Sequence, residues 1–337
     1  MNTKKKMYFI KTMVICIAVM LLSCQEDTAN DLETINEEEG SALIETYFGN
    51  EKVKVKDIGN NRFLLDNSDI IVHGEQLSTT PRTSALKKEP GADREKLAIW
   101  SFTTKWPNNT IVYQFGRVNT SLRANFMEAA REWSDKTNIE FRERTTESEY
   151  VTVFESNNVC SGCGRATLGQ SGDDGTLELG PQASASLIAH EIGHTLGFVH
   201  EQTRNDRDEV VRILFQNIMP GFEDNFRKDE NADALTDQFD LQSIMMYFPT
   251  AFSRNGRPTI TLLNGDVYQG AQEEISPLDI AGTNRAYPSG TTGSTICDGV
   301  DEYNPNINYS VGDRVTFNDS LYEADFDRWI LIGPCNS

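Results

Sequence analysis

Three segments in the middle of the chain arrange their apolar side chains as β-strands do. Residues 110–115 alternate between polar and apolar positions, and residues 150–154 are rich in β-branched and aromatic side chains. Residues 176–179 form a third segment, which ends at Gly180 and Pro181. Because successive side chains of a strand point to opposite faces, these patterns predict three β-strands.

A helix is predicted between the first two strands. Apolar side chains recur there at the spacing of one helix face, and Thr120 or Ser121 is the expected N-cap. The apolar positions are Leu122, Phe126, Ala129, Ala130 and Trp133. We therefore expect a globular domain that contains both helices and strands.

The N-terminus has the pattern of an export signal. Residues 12–22 are an apolar run that follows several lysines, and this run is shorter than the about 20 residues that span a bilayer. The run ends in Leu-Leu-Ser-Cys24, which resembles a bacterial lipobox whose cysteine is lipidated; a signal peptide with a chance cysteine is the alternative. We expect residues 1–23 to be a lipoprotein signal peptide. The protein would then be exported and either anchored in the membrane at the bacterial cell surface or released.

The segment after the signal differs in amino-acid composition from the middle of the chain. Residues 24–96 are polar and acidic apart from one apolar stretch at residues 63–72. They end in a run rich in Ser, Thr and Pro that also contains lysines and arginines. This composition predicts a solvated tether and a small pro-region that ends in an accessible linker.

The charge of the chain excludes two classes of partner. Its 31 Lys and Arg residues against 51 Asp and Glu residues give a formal net charge of −20. Nucleic acid and anionic membrane surfaces attract basic patches, so neither is an expected partner. With 17 Phe and 4 Trp, the chain still has enough large apolar side chains to fold.

The 6 cysteines divide by position. Two fall within the predicted signal and lipobox, and the other four allow three pairings in an oxidising compartment. We expect the local pairs, Cys160 with Cys163 and Cys297 with Cys335. The alternative for Cys160 and Cys163 is half of a zinc ribbon or a redox dithiol, but no second C-x-x-C completes a ribbon.

Three of the 4 histidines lie within residues 190–200, in the order H-E-x-x-H-x-x-G-x-x-H. Helical rise puts His190 and His194 on one face, and a left-handed Gly197 would turn the chain so that His200 reaches the same point. Three neutral nitrogen ligands favour zinc and leave a fourth position for water. Glu191, close to the metal but not a ligand, is placed to take a proton from that water.

Two other interpretations of this motif exist. A buried helix can contain histidines that only satisfy core hydrogen bonds, and a structural zinc site can use the same residues. Structural sites are usually closed by four protein ligands, often Cys, and no Cys lies near the motif. A Met-turn at residues 243–247 favours the catalytic interpretation, with Met245 as an apolar floor and Tyr247 pointing its phenol toward the metal.

The motif and the segments around it resemble the astacin family of zinc endopeptidases. The histidine pattern followed by a Met-turn is the metzincin signature, and residues 106–113, 201–208 and 217–221 are similar to family sequence. The likeness covers about residues 97–288, the expected catalytic domain, and implies an α+β fold with a twisted sheet and two long helices above a less regular lower subdomain. This chain departs from the family at Met246, where the family commonly has His, and lacks the family's usual cysteine before the zinc helix.

The resemblance implies a role for each residue of the motif. His190, His194 and His200 would bind one zinc ion, and Glu191 would be the general base. Tyr247 would be a further, displaceable zinc ligand that hydrogen-bonds the oxyanion.

The function implied is a secreted or surface-anchored zinc endopeptidase that cleaves proteins or peptides and is made as a zymogen. A surface lipoprotein that binds polysaccharide and has a vestigial protease domain is the alternative, although no ligand or base is missing from the motif.

The resemblance also predicts how a precursor is silenced and activated. Residues 67–70 resemble the family's pro-peptide switch, in which the carboxylate of Asp69 would occupy the open zinc position. Activation would cut after Lys96, and the new α-amino group of Leu97 would fold inward to meet Glu201. A solvated acidic turn at Asp69 and a solvated helix end at Glu201 are the alternatives.

The last segment, residues 297–337, weakly resembles small chitin- or cellulose-binding modules, and residues 289–296 would be the flexible linker to it. Such modules bind sugar rings on exposed aromatic side chains. Tyr309, Tyr322 and Trp329 are the candidates for binding a polysaccharide. The same side chains could equally form the core of a small β unit.

Overall fold

The structure is a computed structural model. It describes residues 42–49, 51–81, 98–100, 103–170, 174–229, 232–236, 238–270, 272–289, 297, 300–305, 307, 309, 313–318, 320–324 and 329–334. Within these ranges, no helix has the length and apolar character needed to cross a bilayer. The predicted signal, Cys24, the bond between Lys96 and Leu97, residues 290–296 and Cys335 lie outside the described residues.

The described helices and strands give an α+β fold. The helices are α1 (Thr120–Lys136), α2 (Ala185–Thr195) and α3 (Pro277–Ala286). The strands are β1 (Ile44–Phe48), β2 (Glu51–Gly59), β3 (Arg62–Leu65), β4 (Ile70–His73), β5 (Leu77–Ser78), β6 (Ala98–Trp100), β7 (Thr110–Phe115), β8 (Glu140–Glu143), β9 (Tyr150–Glu155), β10 (Gly164–Thr167), β11 (Asp174–Leu179), β12 (Val211–Ile213), β13 (Ala232–Ala234), β14 (Ile260–Leu262), β15 (Arg314–Phe317), β16 (Ser320–Ala324) and β17 (Trp329–Pro334).

A ten-stranded mixed sheet is the centre of the fold, in the order β5-β1-β2-β3-β4-β10-β11-β9-β7-β8. The strands β1–β5 come from the predicted pro-region and β7–β11 from the predicted catalytic domain. The two halves join where β4 pairs in parallel with β10, with Ile70 opposite Ala166 and Ile71 opposite Thr167. One sheet therefore continues across the boundary that the sequence placed between pro-region and catalytic domain.

The three predicted strands are confirmed as β7, β9 and β11, and the predicted helix is α1. The predicted N-cap was wrong, because Thr120 is already helical and Asn119 caps the helix. The side chain of Asn119 accepts a hydrogen bond from the backbone N–H of Leu122 at 2.9 Å. Asn caps helices about as well as Ser or Thr does, and residue type alone did not distinguish three adjacent candidates.

The core lies between the sheet and the first two helices. Leu122, Phe126 and Trp133 are buried on the inner face of α1, as the apolar spacing predicted. The indole N–H of Trp133 donates to the backbone carbonyl of Ala189 at 3.1 Å, which ties α1 to the middle of α2. Because α2 contains two of the predicted zinc ligands, this packing fixes their height above the sheet.

The segment below α2 is less regular, as the family resemblance implied. It consists of short 3₁₀ turns, the β12–β14 pair and α3. A second apolar cluster around Phe226, Ile260 and Met246 stabilises it. Met246, which stands where the family commonly has His, is therefore a buried packing residue in this chain.

The pro-region strands share an apolar cluster with the segment that follows the predicted activation bond. The ring of Phe48 stacks on that of Trp100, with the centroids 3.7 Å apart. Val72, Leu168 and Val199 complete the contact. Trp100 is buried as a result, and its strand β6 pairs with β13 and forms a bridge to Phe198.

The predicted local disulfide between Cys160 and Cys163 is confirmed. Cys297 is also disulfide-bonded, and its predicted partner Cys335 lies outside the described residues. Because Cys160 and Cys163 pair with each other, neither is a free dithiol in this structure. They close the short connection between β9 and β10.

The C-terminal strands β15, β16 and β17 form a small antiparallel sheet. Its aromatic side chains pack on one another: Tyr322 is buried, and Tyr309 and Trp329 are half-buried with ring centroids 5.2 Å apart. Tyr303 stacks beside Tyr309 in the same cluster. This packing is that of a minimal core, and carbohydrate binding by these side chains stays a prediction.

Candidate metal centre and active site

Helix α2 and the turn that ends it position the three motif histidines. The side chain of Ser184 caps the helix by accepting from the N–H of Leu187 at 3.2 Å. The helix ends at Thr195, and Gly197 follows with φ +95°. A β-carbon at Gly197 would lie 2.3 Å from a methyl carbon of Thr103. Glycine is therefore favoured there both by its backbone conformation and by a close approach.

The three imidazoles converge on one point. The ring centroids of His190 and His194 are 4.9 Å apart, and that of His200 lies 4.7 Å from His194 and 5.3 Å from His190. Nδ1 of His190 lies 2.7 Å from the carbonyl oxygen of Ile244, and Nδ1 of His194 lies 2.7 Å from that of Phe198. A carbonyl can only accept, so each Nδ1 carries the proton and each Nε2 is left as a ligand atom.

The carboxylate of Asp69 lies against these nitrogen atoms. Its oxygens are 3.3 Å from Nε2 of His200 and 3.6 Å from Nε2 of His190 and of His194. The four ligand atoms all lie within 4.8 Å of one another. Nε2 of His194 is fully buried and has no hydrogen-bond partner among the described residues. Three imidazoles and one carboxylate around an otherwise unsatisfied nitrogen fit zinc.

The charge states of the site suit metal binding. Burial lowers the pKa of His200 to about 4, although the charge of Asp69 opposes this effect. Burial by itself would raise the pKa of Asp69, but the three imidazoles hold it well below its ordinary value. At neutral pH His200 is therefore a neutral imidazole and Asp69 an ionised carboxylate, which are the forms that bind zinc.

Glu191 is buried beside the histidines, 1% exposed, and its Oε2 has no hydrogen-bond partner among the described residues. Burial raises its pKa well above the ordinary value, the charge of Asp69 adds to this, and Arg165 opposes it. A β-carbon on Gly164 in β10 would lie only 2.7 Å from Cγ and Oε1 of Glu191. The sheet edge therefore fits closely against this carboxyl group, and the raised pKa of Glu191 suits it to taking up a proton.

The Met-turn lies beneath α2. Met245 is fully buried, and a β-carbon on Gly193 would lie 2.3 Å from its sulfur atom. The ring of Tyr247 lies 4.4 Å from that of His200, and its buried hydroxyl has no hydrogen-bond partner among the described residues. Burial and the charges of Asp69 and Glu191 raise the pKa of this phenol well above its ordinary value, so it is a donor.

Glu201 is fully buried, and its partners among the described residues are Arg204 and the backbone of Asp240. Its Oε1 accepts from Nη1 of Arg204 at 2.6 Å and from the N–H of Asp240 at 2.7 Å. Burial raises the pKa of Glu201 to about 8, and Arg204 opposes this shift. Oε2 is buried without a hydrogen-bond partner among the described residues. Because Leu97 lies outside those residues, its pairing with Glu201 stays a prediction.

Sequence reasoning missed the hydrogen-bonding roles of several residues around the site. Asn225 donates from its amide to the carbonyl of Asn67 at 2.7 Å, and Asn67 donates to the carbonyl of Gly221 at 3.1 Å. These bonds hold the segment before Asp69 to the lower subdomain. Asp279, at the start of α3, hydrogen-bonds to the Met-turn. Only the long-range contacts reveal these roles, because nothing in the local pattern of an Asn or Asp signals them.

Comparison with known proteins agrees with this geometry. The profile of the astacin peptidase family matches residues 99–288. The chain is 30% identical over 294 residues to bone morphogenetic protein 1 of Xenopus laevis, an alignment of 81% of this chain and 41% of the relative. It is 34% identical over 196 residues to zinc metalloproteinase nas-14 of Caenorhabditis elegans, which is 56% of this chain and 38% of the relative. The chain thus spans less than half the length of these two curated relatives.

Among solved structures, the chain is similar to high choriolytic enzyme 1, a hatching enzyme zinc-protease from Oryzias latipes. The identity is 34%, the TM-score is 0.49, and the match covers 56% of this chain and 94% of that one.

The close fit of Gly164 against Glu191 leads to a stability prediction. Gly164→Ala forces a methyl group into the carboxyl group of Glu191, and such overpacking lowers the free energy of unfolding by about 1–3 kcal/mol. Gly162→Ala is the matched control, because a β-carbon at Gly162 meets nothing within 4 Å. Urea unfolding of both variants measures the difference. Equal stability of the two would contradict the fit described.

Proposed function

Because the chain belongs to the astacin family of peptidases, we propose that it is a zinc-dependent endopeptidase made as an inactive, exported precursor. The observation that carries this proposal is the convergence of three imidazoles beside a buried carboxyl group and a phenol. Its substrates are proteins or peptides.

In this proposal, His190, His194 and His200 hold the zinc ion through Nε2. A bound zinc ion supplies Lewis acidity and lowers the pKa of a water molecule. Glu191 takes the proton of the attacking water and passes it to the leaving amine, which its raised pKa favours. Tyr247 donates its phenol hydrogen to the developing oxyanion, since its own raised pKa keeps it protonated.

Replacing Glu191 with Gln tests the general base. The amide keeps the size of the side chain but cannot accept the proton, so turnover of a casein-derived peptide by the activated enzyme should fall by about 10²- to 10⁴-fold. Zinc content, measured by atomic absorption, should stay at that of the parent. The exposed Glu140→Gln is the matched control and should cleave normally. Near-normal turnover by a zinc-loaded Glu191→Gln would falsify the assignment.

The precursor is silenced, in this proposal, by a pro-region that crosses the cleft and covers the zinc site. Asp69 lies on the three imidazoles, and its carbonyl accepts from the N–H of Ala166 at 2.9 Å. The next hydrogen bond between β4 and β10 joins the N–H of Leu168 to the carbonyl of Ile71 at 2.9 Å. Asn67 is held from below by Asn225. The pro-region therefore blocks both the metal position and the free edge of β10.

Replacing Asp69 with Ala should give the uncleaved chain measurable activity. Hydrogen bonds to charged groups contribute about 1.5–3 kcal/mol, so cleavage of a peptide should rise by about 10-fold or more over the parent precursor. Mass spectrometry confirms that the chain is uncleaved. Asp66→Ala, in the same turn but outside the cluster at the histidines, is the control. A fully latent Asp69→Ala would mean that the strand pairing alone blocks the cleft.

We also propose that activation cuts after Lys96 and that the new α-amino group of Leu97 pairs with Glu201. Two observations support this. The carbonyl of Ala98 accepts from the N–H of Val199 at 3.0 Å, which brings the residue after Leu97 beside the segment of Glu201. Oε2 of Glu201 is a buried acceptor with no partner among the described residues, and a cation there would offset its burial. N-terminal sequencing of the activated parent tests the cleavage position.

Export with a lipid anchor at Cys24 is part of the proposal, and the anchor places the enzyme at the cell surface. The disulfide between Cys160 and Cys163 supports export, because disulfides persist in oxidising compartments. In a bacterial host, Cys24→Ser should move the protein from the membrane fraction to the soluble fraction. Cys16→Ser, within the signal, should leave it in the membrane. The same distribution for both variants would contradict the anchor.

A further inference from the structure

One peptide group of the Met-turn is held on both of its polar sides. The carbonyl of Ile244 accepts from Nδ1 of His190 at 2.7 Å, and the N–H of Met245, in the same peptide group, donates to Oγ of Ser243 at 3.0 Å. Since the group is planar, fixing its N–H also fixes the direction of its carbonyl. The orientation of His190 therefore depends on the hydroxyl of Ser243.

The hydroxyl of Ser243 is in turn fixed by a carboxylate. Oγ of Ser243 donates to Oδ1 of Asp279 at 2.7 Å, so its one hydrogen is committed and its lone pair faces Met245. Oδ2 of Asp279 accepts from the N–H of Ile244 at 2.8 Å and from the N–H of Ser276 at 2.9 Å. These three partners all donate, which stabilises the ionised carboxylate. Ser243 and Asp279 are both buried from water.

Asp279 does more than cap its own helix. In a capping box, the side chain at the third helical position accepts from the backbone N–H of the N-cap residue, and Asp279 does this for Ser276 at the start of α3. The two bonds to Ser243 and Ile244 are additional, and they reach a segment 35 residues earlier in the chain. The cap of α3 does not need these two bonds, but the Met-turn needs them to stay in position.

From this chain of contacts we propose that Asp279 is a positioning residue for the zinc ligand His190, acting through Ser243 and the peptide group between Ile244 and Met245. The inference rests on the proposed function, since it assumes that His190 binds zinc. When the carboxylate is lost, the hydroxyl of Ser243 rotates, the peptide plane tilts and the Ile244 carbonyl no longer holds Nδ1. His194 is unaffected, because its Nδ1 bonds to Phe198 instead.

The hydrogen bonds from Asp279 through Ser243 to the peptide group of Ile244 and Met245 are called the relay below. Two variants each break a different bond of this relay. Asp279→Asn keeps the size of the side chain but turns one acceptor into a donor, and Ser243→Ala removes the hydroxyl and leaves the bond from Ile244 to Asp279. Thr283→Val is the matched control: its hydroxyl bonds within α3 to the carbonyl of Asp279, and the residue is fully buried. It weakens the same helix without touching the Met-turn.

The chain has only 4 histidines, so ¹⁵N-histidine NMR of the full chain resolves each imidazole with and without zinc. We expect the Nδ1 signal of His190 to shift in Asp279→Asn and in Ser243→Ala while that of His194 stays in place. The zinc dissociation constant, from competition with a chromogenic chelator, should rise about 10-fold. Thr283→Val should lower the melting temperature and leave both readouts unchanged.

A merely structural role for Asp279 gives a different result. Asp279→Asn and Ser243→Ala would then melt earlier, as Thr283→Val does, with the parent's His190 signal and zinc dissociation constant, and the proposal would be overturned. Failure of the proposed function is seen separately, in the parent itself: it would bind no zinc, or it would cleave no peptide after the pro-region has been removed. The His190 signal of the metal-free chain still reports on the relay in that case.

Discussion

The architecture depends on one constraint: three imidazoles must turn their Nε2 atoms toward a single buried point. Two of the rings are fixed through Nδ1 by a backbone carbonyl. The carbonyl of Ile244 in the Met-turn holds His190, and the carbonyl of Phe198, just after α2, holds His194. The helix must therefore end where Gly197 permits it, and the Met-turn must lie directly below. Met245 fits there because Gly193 has no side chain.

The second feature that shapes the molecule is the free edge of β10. An unpaired strand edge presents backbone donors and acceptors to any extended segment. Here β4 fills that edge, and its register determines which side chain arrives at the histidines. Because side chains alternate between faces, a slip of one residue would turn the carboxylate of Asp69 away from the imidazoles. The hydrogen bond between Asn225 and Asn67 stabilises this register from the lower side of the cleft.

Buried carboxyl groups link the lower subdomain to the site. Glu201, Asp240 and Asp279 are all shielded from water, and each accepts hydrogen bonds from backbone N–H groups or from side chains. Such groups are costly to bury without hydrogen bonds, and Oε2 of Glu201 is the one oxygen of this set that has no partner among the described residues. The carboxylate of Asp279 accepts from Ser243 and Ile244 of the Met-turn, so the bonds that stabilise this buried group also hold the turn beneath the histidines.

The sequence by itself determined what depends on local spacing. The strands β7, β9 and β11, the buried face of α1 and the pairing of Cys160 with Cys163 all follow from separations of a few residues. The histidine motif is local in the same way, because helical rise and one left-handed glycine decide where its rings can point. The predicted N-cap of α1 was wrong although it too is a local feature, because Asn119, Thr120 and Ser121 are adjacent and all three residue types cap helices.

Tertiary structure alone decided the remaining contacts. The pairing of β4 with β10, the partnership of Glu201 with Arg204 and the reach of Asp279 to the Met-turn depend on how the elements pack. Asp279 in sequence is an acidic residue near a helix start, and only packing brings Ser243 and Ile244 to it. Local pattern predicts conformation because backbone geometry is local, whereas the choice of hydrogen-bond partner depends on which groups are buried together.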